Sequence, residues 1–324
     1  MRILVIGGTL FIGREIVRKL AAGGHDVTVL HRRDRHDLGP GIRNVQADRG
    51  DLPAISRVLR EGRYDAVCDV AYDWGKGTTA AEVEAAARAC GDTLQRYVFV
   101  SSIAAYGPGL AHREDDALVG DDYPSPYAQH KASSERALFR LHAATGFPVT
   151  TFRPPFVHGP RQPFYREAFF WDRLRDGRPI VLPDGGDSPI QWVFVSDLAD
   201  ACVRAIEVAE AAGQAFNIAH VEPLTQRTFV DALAHVAGVT PTFVAIPRAA
   251  IQAAGGNAYA GNLYFGEYLD VPAHVSVIDK APRVLGVAPT TLDAALGESF
   301  AWYSQQPRRS VDYAFEDRLL ATAT

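Results

Sequence analysis

Hydrophobic positions open the chain as a continuous run, Ile3-Leu4-Val5-Ile6, directly after Met1 and Arg2. A run without alternation predicts a strand buried on both faces, as in a parallel sheet. From Ile12 the spacing changes. Ile12, Ile16, Val17 and Leu20 share one helical face, while Arg14, Glu15, Arg18 and Lys19 take the other. Gly23-Gly24 ends that helix, and His25-Asp26-Val27-Thr28-Val29-Leu30 predicts a second strand. A third strand ends at Val45-Gln46-Ala47-Asp48, a fourth covers residues 66–71 and a fifth covers 97–101. An alanine-rich helix is predicted over 79–90, a second from Tyr127 to near Gly146, and a sixth strand over 149–153. Strands alternating with helices predict an α/β, Rossmann-type, doubly wound parallel sheet.

The texture changes after Pro154. Residues 154–189 are rich in proline, arginine and aromatics, and 160–189 form an excursion from the sheet. Strand character returns at 191–195, a helix follows from Asp197 to near Ala209, and Phe216-Asn217-Ile218-Ala219 predicts another strand. Helices are expected near 225–237 and 291–304, with a tail after Pro307 that is either ordered or frayed. The expected organisation is a dinucleotide-binding domain of residues 1–159 and 190–220. A smaller C-terminal substrate-binding lobe would take 160–189 and 221–324.

Between the first strand and the first helix sits Gly7-Gly8-Thr9-Leu10-Phe11-Ile12-Gly13. Glycines there let the backbone approach a pyrophosphate, whose charge is stabilised at the helix N-terminus. Gly7, Thr9, Leu10, Phe11, Ile12 and Gly13 are the expected cofactor contacts. Leu10 replaces the usual middle glycine and narrows the approach. At the tip of the second strand an NAD-preferring fold places a carboxylate for the ribose hydroxyls. This chain has His31-Arg32-Arg33 instead, with no carboxylate before Asp34. Two guanidiniums suit a ribose 2′-phosphate. NADP is therefore the expected cofactor, with NAD the alternative; a solvated basic loop would leave the same pattern.

Tyr127 and Lys131 are spaced i and i+4, on one helix face. A lysine cation beside a phenol favours phenolate and lowers the tyrosine pKa from about 10. Tyr127 can then exchange a proton with a substrate hydroxyl or carbonyl. Ser102, just past the fifth strand, is placed to hold the substrate oxygen, because strand C-terminal ends face the ligand crevice. Ser102, Tyr127 and Lys131 are the expected catalytic set, and Tyr127 and Lys131 are also expected cofactor contacts, Lys131 by a hydrogen bond to the nicotinamide ribose. Tyr-x-x-x-Lys on its own arises often by chance; the glycine turn and the Ser101-Ser102 strand end give it weight. No Gly-x-Ser-x-Gly elbow points to a hydrolase.

Composition narrows the classes further. The 324 residues allow one large or two modest domains. Hydrophobic content of 47% and charged content of 22% suit a soluble enzyme. The net charge of −5 gives no overall basic footprint for nucleic acid. Cys68, Cys90 and Cys202 are odd in number and lack metal-ligand spacing, so reduced, buried thiols and no metal are expected. No apolar run approaches membrane-spanning length, and the first residues already form a strand. A cytoplasmic protein without membrane or nucleic-acid partners is the expectation.

These residues resemble the extended short-chain dehydrogenase/reductases, the NAD-dependent epimerase/dehydratase group. Tyr97-Val98-Phe99-Val100-Ser101-Ser102 with Ala105-Tyr106-Gly107 resembles the family's serine strand, and Ser125-Pro126-Tyr127 with Lys131 its catalytic helix. Arg153-Pro154-Pro155, His158-Gly159-Pro160, Val195-Ser196-Asp197-Leu198-Ala199, Phe216-Asn217-Ile218 and Arg283-Val284-Leu285-Gly286 resemble later landmarks. The resemblance implies that Asp48 and Arg49 flank the adenine, Ala71 lies near the cofactor's middle, and Pro154 and Pro155 lie near the nicotinamide. It also implies a homodimer through the helices near 79–90 and 127–141.

The departures matter as much. Ile103 and Ala104 stand where nucleotide-sugar 4,6-dehydratases place an acidic pair. Phe156 and Ile190 stand where nucleotide-sugar epimerases typically place an asparagine and a phosphate-binding arginine. The glycine turn also resembles an atypical branch that includes chloroplast stem-loop RNA-binding proteins. The expected activity is hydride transfer to or from a hydroxyl or ketone of a small polar, sugar-like substrate. An epimerase with retained cofactor and a non-catalytic dinucleotide-sensing or RNA-binding protein are the alternatives. The excursion's Phe164, Tyr165, Phe169, Phe170 and Trp171 either wall a substrate crevice or pack the smaller lobe's own core, and Arg161, Arg166, Arg173 and Arg175 either replace the missing diphosphate contacts or form a solvated face.

Overall fold

Residues Ile3 to Ile6 of β1 (Arg2–Ile6) are buried, which is why an unbroken apolar run forms a central strand rather than an edge. In the computed structural model, which describes residues 1–322, β1 pairs in parallel with β2 (Asp26–His31) and with β4 (Ala66–Asp69). β3 (Arg43–Gln46) extends the sheet beyond β2, and β5 (Arg96–Val100) pairs with β4. Strands Val149–Arg153 and Gln214–Asn217 complete seven parallel strands. The order is Gln214–Asn217, Val149–Arg153, β5, β4, β1, β2, β3. The doubly wound parallel sheet read from the alternation is the observed fold.

Helices cover both faces. α1 (Phe11–Ala22) buries Ile16, Val17 and Leu20 and packs against helix Val195–Glu207, where Lys19 meets Asp200 at 2.8 Å. α2 (Leu52–Gly62), α3 (Ala80–Ala89) and α4 (Pro126–Thr145) pack in succession. α3 begins at a reciprocal cap: the Thr79 hydroxyl accepts from the Glu82 amide while the Glu82 carboxylate accepts from the Thr79 amide at 2.7 Å. Helix Val195–Glu207 begins two residues before the expected Asp197, which places that carboxylate in the first turn, favoured by the helix dipole. Parallel registers bring the strand ends to one edge. Ile6 lies beside Asp69, Asp69 beside Phe99, and Val100 beside Phe152.

The chain divides into two compact units. The first is Met1–Val157, Val193–Ala219 and Ser276–Pro289; the second is His158–Trp192, His220–Val275 and Thr290–Thr324, of which residues 323 and 324 lie outside the described residues. Segment Ser276–Pro289 joins the first unit through helix Lys280–Leu285, whose Lys280 ammonium donates to the Ala215 carbonyl at 2.9 Å.

In the second unit, helix Glu167–Arg175 packs on helix Gln226–Ala237, and strand Ile180–Pro183 runs parallel to Phe243–Ile246. The tail after Pro307 carries an ordered helix, Ala314–Thr322. Of the two readings of the aromatics in 160–189, core packing holds for three of them. Phe169, Phe170 and Trp171 are buried in this unit's own core, Phe170 edge-on to Phe265 at 4.8 Å. The Trp171 indole donates to the Leu233 carbonyl at 3.1 Å. Arg173 is spent on an ion pair with Glu316 at 2.6 Å, and Arg175 on Asp172 at 3.0 Å. Cys68 and Cys202 are buried, whereas Cys90 is only half-buried; all three thiols are free.

Candidate active site

The glycine turn is built for close approach. Gly7 has φ +87°, a left-handed value that favours glycine, and a Cβ there would stand 3.0 Å from the Ala71 backbone. A Cβ on Gly13 would stand 2.2 Å from the Gly7 carbonyl oxygen, so only glycine lets α1 begin against the turn. Phe11, the first helical residue, is held at φ +35°, a strained value of the kind found at ligand sites. Leu10 precedes the helix without a side-chain cap, and the first turn holds no acidic residue. A helix start with no carboxylate to repel an anion fits a pyrophosphate. Thr9 and Ile12 are half-buried within the turn, Leu10 is exposed at its mouth, and Ala71 lies against its floor.

At the β2 tip, His31 is fixed by Asn44 at 2.6 Å, and burial lowers its pKa, so it stands neutral at pH 7. The Gln46 amide donates to the Arg32 carbonyl at 3.1 Å and the Asn44 amide to the Asp34 carbonyl at 2.7 Å. Arg32 and Arg33 extend into solvent from this pinned backbone, Arg32 within 3.4 Å of Asp73. Asp48 and Arg49 diverge. Asp48 is exposed and accepts from the Gly50 amide at 2.8 Å, whereas Arg49 turns inward to Asp69 at 2.5 Å. Asp69 also accepts from the Tyr97 hydroxyl at 2.6 Å.

α4 starts at Ser125, whose hydroxyl accepts from the Ala128 amide, with Pro126 preset in the first turn. Tyr127 and Lys131 then fall on one face. The buried Lys131 ammonium donates to the Val100 carbonyl at 2.7 Å and lies over three rings, Phe99 at 5.0 Å, Tyr72 at 5.3 Å and Tyr127 at 5.9 Å. Burial pushes its pKa down to about 8 against the opposing pull of Asp69. Ser102, extended at φ −161°, caps the short turn Ile103–Tyr106, its hydroxyl accepting from the Ala104 amide at 3.2 Å. The buried Pro154 accepts at its carbonyl from the Ile103 amide at 3.0 Å, and the half-buried Pro155 follows it past the strand end.

Two aromatic residues of the loop after β4 escaped the sequence reading. Trp74 stacks on the Tyr127 ring, centres 5.2 Å apart and planes 16° apart, and Tyr72 meets Tyr127 edge-on at 4.9 Å. The Tyr72 hydroxyl is 3.1 Å from His130 Nδ1. Burial, reinforced by Tyr127, pushes the Tyr72 pKa up to about 12, so Tyr72 stays protonated at neutral pH. The signal was an aromatic pair directly past a strand end. A buried ion pair beneath α4 was missed too. Glu135 accepts from Arg153 at 2.8 Å, Ser101 at 2.5 Å and Thr151 at 2.9 Å. Arg153 also donates to the Tyr106 hydroxyl at 2.6 Å, and Tyr106 to Asn217 at 2.8 Å. Among the described residues, no group of three or more His, Cys, Asp or Glu side chains is arranged to hold a metal ion. Nor is any helix there long and apolar enough to cross a membrane.

A parallel sheet with a glycine cradle after its first strand and a Tyr-x-x-x-Lys helix beside its fifth defines the Rossmann-type dinucleotide enzymes. The chain belongs to the NAD dependent epimerase/dehydratase family, the extended short-chain dehydrogenase/reductases, whose family model matches residues 3–219. It is 30% identical to chloroplast stem-loop binding protein of 41 kDa b from Arabidopsis thaliana, over 73% of this chain and 63% of that protein, less than two thirds of its length. It is 29% identical to 2-alkyl-3-oxoalkanoate reductase from Stenotrophomonas maltophilia, over 74% of this chain and 76% of that one. In fold it is similar to UDP-glucose 4-epimerase from Thermotoga maritima, with a TM-score of 0.74 at 21% identity, covering 94% of this chain and 99% of that one.

Proposed function

We propose that the protein is an NADP(H)-preferring oxidoreductase acting on a hydroxyl or ketone of a small polar molecule. The observation that carries this reading is the Lys131 ammonium, buried one turn behind Tyr127 and fixed on the Val100 carbonyl at the end of β5. A bound nicotinamide would supply the hydride chemistry. The chain's own residues supply the rest. Tyr127 gives its hydroxyl proton to a ketone oxygen in reduction and takes one back in oxidation. The Lys131 charge stabilises the phenolate left behind. Ser102 holds the substrate oxygen. The turn from Gly7 to Gly13 takes the pyrophosphate, and Arg32 and Arg33 take the 2′-phosphate. The second unit is the substrate-binding lobe, and two copies pair through α3 and α4.

The name of the chloroplast relative supports a nucleic-acid reading as the competitor, and the epimerase relatives support another. The Ser102–Tyr127–Lys131 set favours chemistry over scaffolding. Deuterium-labelled NADPH separates the three. Transfer of label to a reduced product supports the oxidoreductase. Inversion of a carbinol centre with no net oxidation, on cofactor retained through purification, supports the epimerase. Failure to bind either nicotinamide dinucleotide sinks both.

A further inference from the structure

Trp74 leaves the C-terminal end of β4, and its loop is braced by its own hydrogen bonds. The Asp73 carboxylate accepts from the Gly75 amide at 2.9 Å and the Lys76 amide at 3.2 Å. The Asp73 carbonyl accepts from the Gly77 amide at 2.8 Å, and the Asp73 amide donates to the Thr78 hydroxyl at 3.0 Å. The indole is thus placed on a fixed turn rather than a slack one. It lies nearly parallel to the Tyr127 phenol, and yet 57% of Trp74 is exposed. Single exposed apolar side chains are ordinary. An exposed indole stacked on the phenol that moves the proton is different, because a substrate oxygen must come to that phenol's hydroxyl.

We propose that Trp74 is a specificity-determining residue: a shelf for a flat aromatic ring carried next to the reacting carbon, which makes the substrate a small aryl ketone or aryl carbinol. This rests on Tyr127 as the proton carrier. A carbonyl oxygen that accepts from the Tyr127 hydroxyl has its substituents just past that end of the phenol, and a ring carried on the Trp74 side can come up to the exposed part of the indole. Ring against ring gains both buried area and a favourable quadrupole arrangement. Tyr72, set edge-on to Tyr127 at 84°, keeps the phenol from turning away from the indole. A polar end for Tyr127 and a flat face for Trp74 describe one molecule, such as a hydroxylated acetophenone.

The test is calorimetry on the NADP-loaded protein with 4-hydroxyacetophenone as ligand, alongside hydroxyacetone as a compact ketone without a ring. The wild type is expected to bind the aryl ketone more tightly. Trp74→Ala should weaken it by about tenfold or more, and Trp74→Phe, which keeps a ring, by no more than about threefold. The thermal midpoint of each variant, on an exposed loop, should match the wild type and certify the fold. Equal affinity in wild type and Trp74→Ala overturns the shelf, as does a wild type that ignores the aryl ketone or prefers hydroxyacetone. The two readings fail separately. Ring binding that depends on Trp74, with turnover indifferent to Tyr127→Phe, removes the proton carrier and leaves the shelf. Turnover that needs Tyr127, with binding indifferent to Trp74, does the reverse.

Discussion

Lys131 reaches the Val100 carbonyl at 2.7 Å, so the cation beside Tyr127 is fixed by the backbone of β5 rather than by a carboxylate. A carboxylate partner would have cancelled the charge that a phenolate needs. A carbonyl orients the ammonium and leaves its charge available. Tyr127→Phe removes the hydroxyl that carries the proton and keeps the ring that stacks on Trp74. Turnover should fall by about a hundredfold or more, with cofactor affinity and thermal midpoint unchanged. Stopped-flow turnover beside a cofactor titration checks it, and near wild-type turnover would move the role to Ser102 or a bound water.

The same burial sets function against stability. Lys131 has its pKa lowered from 10.5 to about 8. Below pH 8 both folded and unfolded chains carry the proton, and the fold bears the full penalty of the buried cation. Between about 8 and 10.5 the folded chain has lost the proton and the unfolded chain has not. Stability therefore rises with pH across that window, while activity that needs the cation falls. A displacement of this size corresponds to about 3 kcal/mol. Lys131→Met should stabilise the fold at pH 7 by about 1–3 kcal/mol, abolish activity, and flatten the pH dependence of stability between 8 and 10.5. Denaturant titrations at three pH values decide it; a variant less stable than wild type at pH 7 contradicts the sign.

The fold, and the local geometry of the candidate site, were legible along the chain because they rest on local spacing. Gly7 and Gly13 answer to steric rules that any neighbour sequence obeys, and Tyr127 and Lys131 meet because i and i+4 share a helix face. What could not be read depends on long-range pairing. Glu135 and Arg153 are an ordinary helix acid and strand base until the fold sets them 2.8 Å apart. Trp74 reaches Tyr127 through a loop whose shape Asp73 fixes by backbone hydrogen bonds, which spacing does not encode. For the aromatics of helix Glu167–Arg175 the sequence left wall and core equally open, because an aromatic-rich segment carries no mark of which face turns inward.

Arg153→Met should be among the costliest single changes. It strands the fully buried Glu135 carboxylate with only Ser101 and Thr151 as donors. Removing one partner of a buried pair costs about 3–5 kcal/mol, whereas replacing both by apolar groups costs far less. The double variant Arg153→Met/Glu135→Leu should therefore recover more than half of the loss. Urea unfolding of the two singles and the double closes the cycle, and additive losses would deny the coupling.

Cofactor choice is tested at the β2 tip. Arg32→Ala with Arg33→Ala should weaken NADP(H) far more than NAD(H), because two charge-assisted hydrogen bonds of about 1.5–3 kcal/mol each are lost. Arg32 also gives up its 3.4 Å contact with Asp73, but that pair is exposed and contributes little. Fluorescence titration with both cofactors reads the difference, and equal weakening of the two refutes a 2′-phosphate role.

Nucleotide sugars should bind poorly. By the family resemblance, the half-buried Phe156 takes the place of an asparagine typical of nucleotide-sugar epimerases. By the same resemblance Ile190, 2% exposed and paired with Leu224, takes the place of their phosphate-binding arginine. Neither side chain can donate to a diphosphate. Of the four arginines that could replace them, Arg173 and Arg175 are committed to Glu316 and to Asp172, Arg166 donates to the Glu267 carbonyl at 3.2 Å, and Arg161 is exposed. Two missing charge-assisted contacts correspond to a loss of about a hundredfold or more in affinity. Calorimetry of UDP- and dTDP-sugars against the NADP-loaded protein should show only weak heats. Restoring the arginine by Ile190→Arg should not rescue binding, because that position is buried and an unpaired guanidinium there costs more than it returns. Micromolar binding of any nucleotide sugar to the wild type would show that other donors hold the diphosphate and that the substrate class must be redrawn.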